Sequence, residues 1–171
     1  MANEKKSFIG TTGQPLAREN LRLYKNTGTS STPVWSVIGK RVQDSSMELD
    51  WSADHGIDIL GEGYGSLRAP LITQQFDGAK PIVGDAAIEE IYNLALVKHD
   101  HIALAAQDLL VEHKEAGWAE RYETCTVEVT GYGGEGGGDM TMPFTVTFGG
   151  TRTLGTITRE NGVVTFVPDG E

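Results

Sequence analysis

The sequence predicts a mainly β protein, an antiparallel β-sandwich or barrel with one flanking α-helix. Residues 125–129 and 142–148 alternate apolar and polar side chains, which is typical of strands with one buried face. A single stretch near the middle of the chain repeats its apolar residues with the helical period instead. The pair Asn161-Gly162 predicts a tight β-hairpin, because both residues tolerate a positive φ. These observations indicate strands in succession, interrupted by one helix.

The N-terminal part of the chain differs from the remainder. Residues 1–20 mix Lys, Gly, Thr and Gln without periodicity, and we interpret them as an extended N-terminal arm. Residues 21–171 then form a single domain, since a chain of 171 residues can bury one sizeable core.

The first strands are predicted at residues 21–24, at residues 34–39 after Pro33, and at residues 46–51. In the last of these, Met47, Leu49 and Trp51 share one face, and Ser46, Glu48 and Asp50 share the other.

Residues 52–66 combine four glycines with three acidic residues, which predicts a long excursion between strands. An extended pattern resumes at residues 68–76, where Pro70 is placed to start the strand.

The predicted helix spans residues 85–98, with Asp85 as its N-cap. Its apolar face consists of Ile88, Ile91, Tyr92 and Ala95. Residues 100–112 are ambiguous, because residues 102–106 alternate like a strand whereas residues 109–111 are apolar in succession. The alternation favours a strand.

Residues 119–158 predict a strand, a mobile Gly-rich tip at residues 131–139, and two more strands. The first two strands form a long hairpin with one buried face. With a final strand after Asn161-Gly162, the chain is predicted to hold seven to nine strands.

Charge and composition narrow the functional classes. The chain has 14 Lys plus Arg against 24 Asp plus Glu, a net charge of −10, and no basic cluster larger than two residues, which argues against a nucleic-acid clamp. No apolar run is long enough for a membrane span, and no signal-peptide pattern is present at the N-terminus. We therefore expect no membrane partner, and synthesis and retention in the cytoplasm.

The sequence contains no convincing pattern for a catalytic, metal-binding or phosphate-binding site. His99, His101 and His113 lack the spacing of a metal site, and residues 131–139 lack the Lys-Ser/Thr pair of a phosphate loop. We expect no enzyme activity, no cofactor and no metal. Cys125 lies on an apolar strand face and is interpreted as a buried thiol.

The tryptophans allow an alternative of another class, a carbohydrate-binding β-sandwich module with exposed rings. Trp35 and Trp51 are predicted to pack in the core, whereas the position of Trp118 is left open.

Three segments carry a family resemblance. WSVIGKRVQDSSMELDW, GDAAIEEIYNLA, and RYETCTVEVTGYGGEGGG followed by TFGGTRTLGTIT resemble the opening strands, the single helix and the closing strands of siphophage major tail tube proteins. That family is related to the inner tubes of contractile tails and secretion systems. The resemblance implies hexameric rings, joined through a shared intermolecular β-barrel, that stack into a tube for DNA passage.

The resemblance also implies a location in the virion tail after assembly in the bacterial cytoplasm. The implied partners are further copies of the chain and the tape measure, tail terminator and distal tail proteins, while DNA passes without sticking. An inner tube of a contractile tail or of a phage-tail-like bacteriocin is an alternative that the sequence does not separate.

Within that interpretation, three groups of residues are candidates for function. Glu48 and Asp50 are predicted to face the lumen. The predicted ring-stacking loop contributes Asp54, Ile57, Asp58, Leu60, Glu62 and Tyr64. The predicted contacts at the hairpin tip are Tyr132, Glu135 and Asp139.

Overall fold

The structure is a computed structural model that describes residues 5–170. The first four residues of the predicted arm 1–20 lie outside the described residues, as does residue 171. Residues 5–17 are exposed and form neither helix nor strand, and a single 3-10 turn, Arg18–Asn20, leads into the first strand.

Eleven strands and two short α-helices follow within the described residues. The early strands are β1 (Leu21–Asn26), β2 (Trp35–Ile38), β3 (Met47–Asp50), β4 (Ala53–Ile57), β5 (Gly63–Leu67) and β6 (Leu71–Phe76). The helices are α1 (Ala86–Tyr92), which continues as a π-helical turn over Asn93–Val97, and α2 (His101–Leu104). The later strands are β7 (Gln107–His113), β8 (Trp118–Val129), β9 (Phe144–Phe148), β10 (Arg152–Glu160) and β11 (Val163–Pro168).

The long strand β8 belongs to two curled sheets, and every strand pair is antiparallel. In the first sheet the order is β2-β1-β7-β8-β10-β11, which uses the N-terminal half of β8. In the second sheet the order is β8-β9-β6-β3, which uses residues 126–129 of β8. The mainly β antiparallel fold with a flanking helix is therefore confirmed. The strand count of seven to nine was too low.

The main core lies between the two sheets and α1. Its fully buried members include Ile91, Leu109, Val127, Phe144 and Val146. A smaller cluster on the opposite face of the first sheet contains Tyr24, Trp35, Leu110 and Ala119, against which residues of β10 and β11 pack. The strands β1 and β7 are therefore buried on both faces.

The predicted helix is confirmed, and its start is set by Asp85. This side chain accepts a hydrogen bond from the Ile88 backbone N–H at 3.4 Å, and Ile88 and Ile91 are buried on the core side. The helix is α-helical only to Tyr92, after which the π-helical turn continues it.

The strand prediction for residues 100–106 is wrong. Asp100 accepts a hydrogen bond from the Ala103 backbone N–H at 3.0 Å and caps α2, so that the strand starts only at Gln107. The local side-chain cap outweighs the apolar alternation there.

Two turns show how local chemistry sets the hairpins. Asn161 and Gly162 have φ of 50° and 82° and join Glu160 to its partner Val163, as the sequence predicts. Residues 52–66 are more regular than the predicted excursion, because they form the β4–β5 hairpin. Its turn is held by Asp58, whose side chain accepts from the backbone N–H groups of Leu60 and Glu62 at 2.8 and 2.9 Å.

Candidate functional site

The second sheet has one face in the core and one face that carries only polar side chains across its centre. Glu48, Thr73, Thr147 and Thr126 are successive partners in the strand register, and Gln75, Thr145 and Glu128 form the next row. We call these seven residues, together with Asp50, the polar face. The four strand segments contain neither Lys nor Arg, so the charges on the polar face are all negative.

The predicted pair Glu48 and Asp50 lies on this face, since their partners Thr73 and Leu71 belong to the same side of β6. Both side chains are exposed. Glu128 is a third carboxylate on the polar face that the sequence analysis missed, because a single sequence does not show that the β8–β9 hairpin joins β6 and β3 in one sheet. The alternation around Cys125 and Val127 was the available signal.

Both edges of the second sheet are open in the sense that neither edge strand has a second strand partner among the described residues, although α2 lies against β8. β3 pairs only with β6, and residues 126–129 of β8 pair only with β9, since β7 ends its pairing at Cys125. An open edge exposes backbone N–H and C=O groups that can pair with another strand.

Exposed apolar side chains lie at the β3 edge of the second sheet. Leu49, Trp51 and Leu71 are 48%, 52% and 55% exposed. The prediction that Trp51 packs in the core is therefore wrong, because no strand or helix of the described chain covers that end of β3. Trp35 is 8% exposed, which confirms its predicted burial. Trp118 is half-buried and stacks on His113, with ring centroids 4.0 Å apart.

The β4–β5 hairpin follows the β3–β6 pair beyond the end of the second sheet, and the Arg68 N–H donates to the Ser52 carbonyl oxygen between the two pairs. It contains all six residues predicted for ring stacking, and all of them are exposed. The apolar residues Ile57 and Leu60 are 76% and 80% exposed, and Ile59 between them is fully exposed. The structure brings Asp58 and Glu62 together at the turn.

The Gly-rich tip lies at the opposite end of the same sheet, where β8 ends and β9 begins. A bridge between Gly133 and Thr141 closes it. The predicted contact residues differ in their environments. Tyr132 is 46% exposed and lies against Tyr92 with ring centroids 5.4 Å apart, whereas Asp139 accepts a hydrogen bond from Lys80 Nζ at 2.8 Å. Glu135 is exposed, and its backbone carbonyl accepts from Gly138 N–H.

Buried carboxylates connect the strands of the first sheet. Glu112 on β7 accepts hydrogen bonds from Tyr24 and Arg159, which join β7 to β1 and β10. Burial and the Glu112 carboxylate raise the pKa of Tyr24, so this phenol stays protonated as a donor. These side chains fasten β10 over the smaller core, and the sequence analysis did not find them.

Residues 5–170 contain neither a candidate metal site nor a candidate membrane-spanning helix. No group of three His, Cys, Asp or Glu side chains is arranged to hold a metal ion. None of the helices has the length and apolar character needed to cross a bilayer.

The fold and this site define a mainly β protein whose second sheet is open at both edges and bears an acidic face. No protein-family model and no curated protein matches the sequence. Among solved structures, the chain is similar to a chain of the PVC sheath-tube complex, an extracellular contractile injection system in its extended state. The identity is 8%, with 85% of this chain and 94% of the other covered and a TM-score of 0.44.

A second similar structure is the cap that terminates the tube of the anti-feeding prophage. The identity is 12%, with 91% of this chain and 99% of the other covered and a TM-score of 0.43. At these identities, no residue of this chain takes a role from either structure.

Proposed function

We propose that this protein is a non-enzymatic building block of a hollow tube, a siphophage-type tail tube in which rings of six copies stack into a conduit for DNA. The observation that carries the proposal is the second sheet, which combines four antiparallel strands, two open edges and an acidic face. The proposed location is the virion tail, after assembly in the bacterial cytoplasm. The proposed partners are further copies of the chain and the proteins that start, measure and terminate the tail.

The directions of the edge strands are compatible with ring formation. Each neighbouring pair in the order β8-β9-β6-β3 is antiparallel, so that β3 and residues 126–129 of β8 run in opposite directions. Copies related by rotation about one axis therefore present β3 of one copy antiparallel to β8 of the next. Such a head-to-tail contact closes into a ring when the rotation fits a whole number of copies. Closure removes both edges, as in any barrel.

The layering of the fold supports an assignment of the side that lines the lumen. The core face of the second sheet is covered by the first sheet and α1, so these layers remain outside the shared barrel. The polar face then points inward. Glu48, Asp50 and Glu128 repel the phosphates of DNA, and the threonines offer no positive charge to hold them. DNA is expected to pass such a wall without stable contacts.

A cysteine pair tests the edge contact. Within one chain, Glu48 and Glu128 are separated by three strand spacings, about 14 Å, and by a further offset of two residues along the strand, which is beyond the reach of a disulfide. A chain that carries both Glu48→Cys and Glu128→Cys should give a ladder of covalent oligomers, ending in a closed ring, with oxidant or a short bis-maleimide. Each single variant should give dimers at most. The native Cys125 is buried and provides little background.

The same samples are examined by negative-stain electron microscopy and light scattering over a concentration series. Rings or hollow tubes together with the ladder support the proposal. A monomer at every concentration, with no ladder in the double variant, contradicts it. In that case a glycan screen tests the carbohydrate-binding alternative, for which the exposed Trp51 is the first residue to substitute.

A further inference from the structure

We propose that the β4–β5 hairpin of one copy docks into a groove on a second copy in the adjacent ring. The inference rests on the proposed function and adds the identity of the receiving surface. The groove has a volume of about 600 Å³ and lies between the start of β1 and the segment that joins β2 to β3. It is lined by apolar and basic residues that include Arg18, Arg22, Leu23, Lys40 and Val42.

The hairpin and the groove lie at opposite ends of the second sheet. The hairpin projects from the end where β3 stops at Asp50. The groove includes Ser45, two residues before β3, and Gln74, which is the register partner of Met47 at the start of β3. Stacking of identical rings requires two different surfaces at opposite ends of each copy, because the contact is head-to-tail and open-ended. This placement meets that requirement.

The charges of the two surfaces are complementary. Residues 53–67 carry Asp54, Asp58 and Glu62 and no Lys or Arg. The groove is lined by three cations and by one carboxylate, Glu19. A local excess of positive charge is notable in a chain with a net charge of −10. Opposite potentials steer two surfaces into register and disfavour a hairpin-to-hairpin contact.

The basic side of the groove is held in place by the fold. Arg18 donates from Nε and from a terminal nitrogen to the Ser45 carbonyl oxygen at 3.0 and 2.6 Å, and donates to the Leu21 carbonyl oxygen at 2.8 Å. These bonds fix the wall of the groove before any partner arrives. Lys40 takes no part in these bonds, and Arg22 makes one of its own, from Nε to the Glu19 carbonyl oxygen at 3.1 Å, so that replacement of either leaves the contacts of Arg18 in place.

The apolar parts also fit each other. The hairpin presents Ile57, Ile59 and Leu60, which nothing in the described chain covers. The groove offers Val42, which is half-buried and packs against the main core, and Leu23 below it is a buried member of that core. The five residues of β4 span about 17 Å, and residues 53–67 are exposed except for Gly56, so the hairpin is free to contact a second copy. Burial of its apolar turn in the groove removes surface that is otherwise exposed to water.

Charge reversal tests the contact in assembled protein. Asp54→Lys with Glu62→Lys reverses the hairpin, and Arg22→Glu with Lys40→Glu reverses the groove; Asp58 is kept because it holds the turn. Each double variant should form rings but no tubes under the electron microscope. The chain that carries all four changes should form tubes again. Glu160→Lys with Asp169→Lys alters the net charge as much as the hairpin reversal does, and should leave tubes intact.

A mixing experiment keeps this contact separable from ring formation. Leu60→Cys and Gln43→Cys are placed on different chains, one with a mass tag, so that their crosslink joins two copies. Under oxidation they should give at least about tenfold more heterodimer than Leu60→Cys mixed with Thr165→Cys, because docking holds the two thiols at a high effective concentration.

The outcomes distinguish the two proposals. Tubes that form from both double variants, or an equal heterodimer yield from both mixtures, overturn the groove contact and leave the ring proposal intact. Wild-type protein that never forms rings contradicts the ring proposal, and the heterodimer yield then decides for or against the contact between hairpin and groove.

Discussion

Glu120 on β8 accepts a hydrogen bond from Arg152 Nε on β10 at 2.6 Å, and the same carboxylate accepts from His113 Nε2 on β7 at 3.0 Å when that nitrogen is protonated. The carboxylate is buried. It therefore joins three neighbouring strands of the first sheet at one point, and the loss of its charge would weaken these side-chain contacts.

This contact predicts a specific loss of stability in acid. Burial raises the pKa of Glu120, but the hydrogen bond from His113 and the charge of Arg152 outweigh it, and the net shift is downward from 4.5. A carboxyl with a lowered pKa stabilises the fold above its unfolded pKa, and this stabilisation is lost as the pH falls through the folded pKa. We expect Glu120→Gln to lower the free energy of unfolding at pH 7 by about 1–3 kcal/mol, with a smaller difference from wild type below pH 4.5.

Urea unfolding at a series of pH values measures this difference. Glu123→Gln on the same strand is the matched control, because the Glu123 side chain is 49% exposed and its contact with Arg121 is 3.8 Å. A constant difference between Glu120→Gln and wild type from pH 7 down to pH 3 would show that this carboxyl does not titrate with folding.

Cys125 is expected to be unreactive in the folded protein. Its side chain is buried, and chiefly this burial raises the pKa of its thiol to about 12, so that the thiolate is scarce at pH 8. Labelling with a thiol reagent at pH 8 should be at least about a hundredfold slower in native than in urea-unfolded protein. Thr126→Cys, at the exposed next position, supplies a fast-reacting control. Equal labelling rates at the two positions would contradict the burial of Cys125.

Elements set by neighbours in sequence were predictable. Alternation around Val127 and Val146, the cap at Asp85 and the turn at Asn161-Gly162 act over a few residues, and the structure contains each of them. The acidic side of β3 was predictable for the same reason.

Features that depend on distant residues were not predictable. Trp51 has the pattern of a buried residue, but β3 lies at a sheet edge and nothing in the described chain covers it. The hydrogen bonds of Glu112 and those of Glu120 join strands whose order a single sequence does not reveal. The helix α2 was missed because the cap at Asp100 competes with a strand-like alternation of apolar residues.

The exposed hairpin predicts an assembly defect without a folding defect. Ile57 is 76% exposed, so Ile57→Asp should change the free energy of unfolding by less than about 0.5 kcal/mol. The same change removes an apolar side chain that the proposed contact between rings would bury, and tubes should be replaced by single rings in electron micrographs. The control is Val163→Asp, which alters a similarly exposed apolar side chain (64%) at the β10–β11 turn. Normal tubes from Ile57→Asp would rule out a role for the hairpin in stacking.

The charges of the polar face predict whether the tube retains DNA. Glu48→Lys with Asp50→Lys replaces two carboxylates by two cations on β3 and, if the face lines the lumen, repeats them around every ring. Lysines that neutralise phosphates release counterions, so tubes of this variant should retain DNA at 50 mM salt and lose it as the salt approaches about 200 mM. Wild-type tubes should retain none at either concentration.

Retention is measured by co-sedimentation of tubes with labelled single-stranded and double-stranded DNA. Glu160→Lys with Asp169→Lys provides the same change in net charge at other exposed positions. Equal retention by the two variants would show that Glu48 and Asp50 contribute only to the overall charge, whereas retention by the β3 variant alone assigns the polar face to the DNA path.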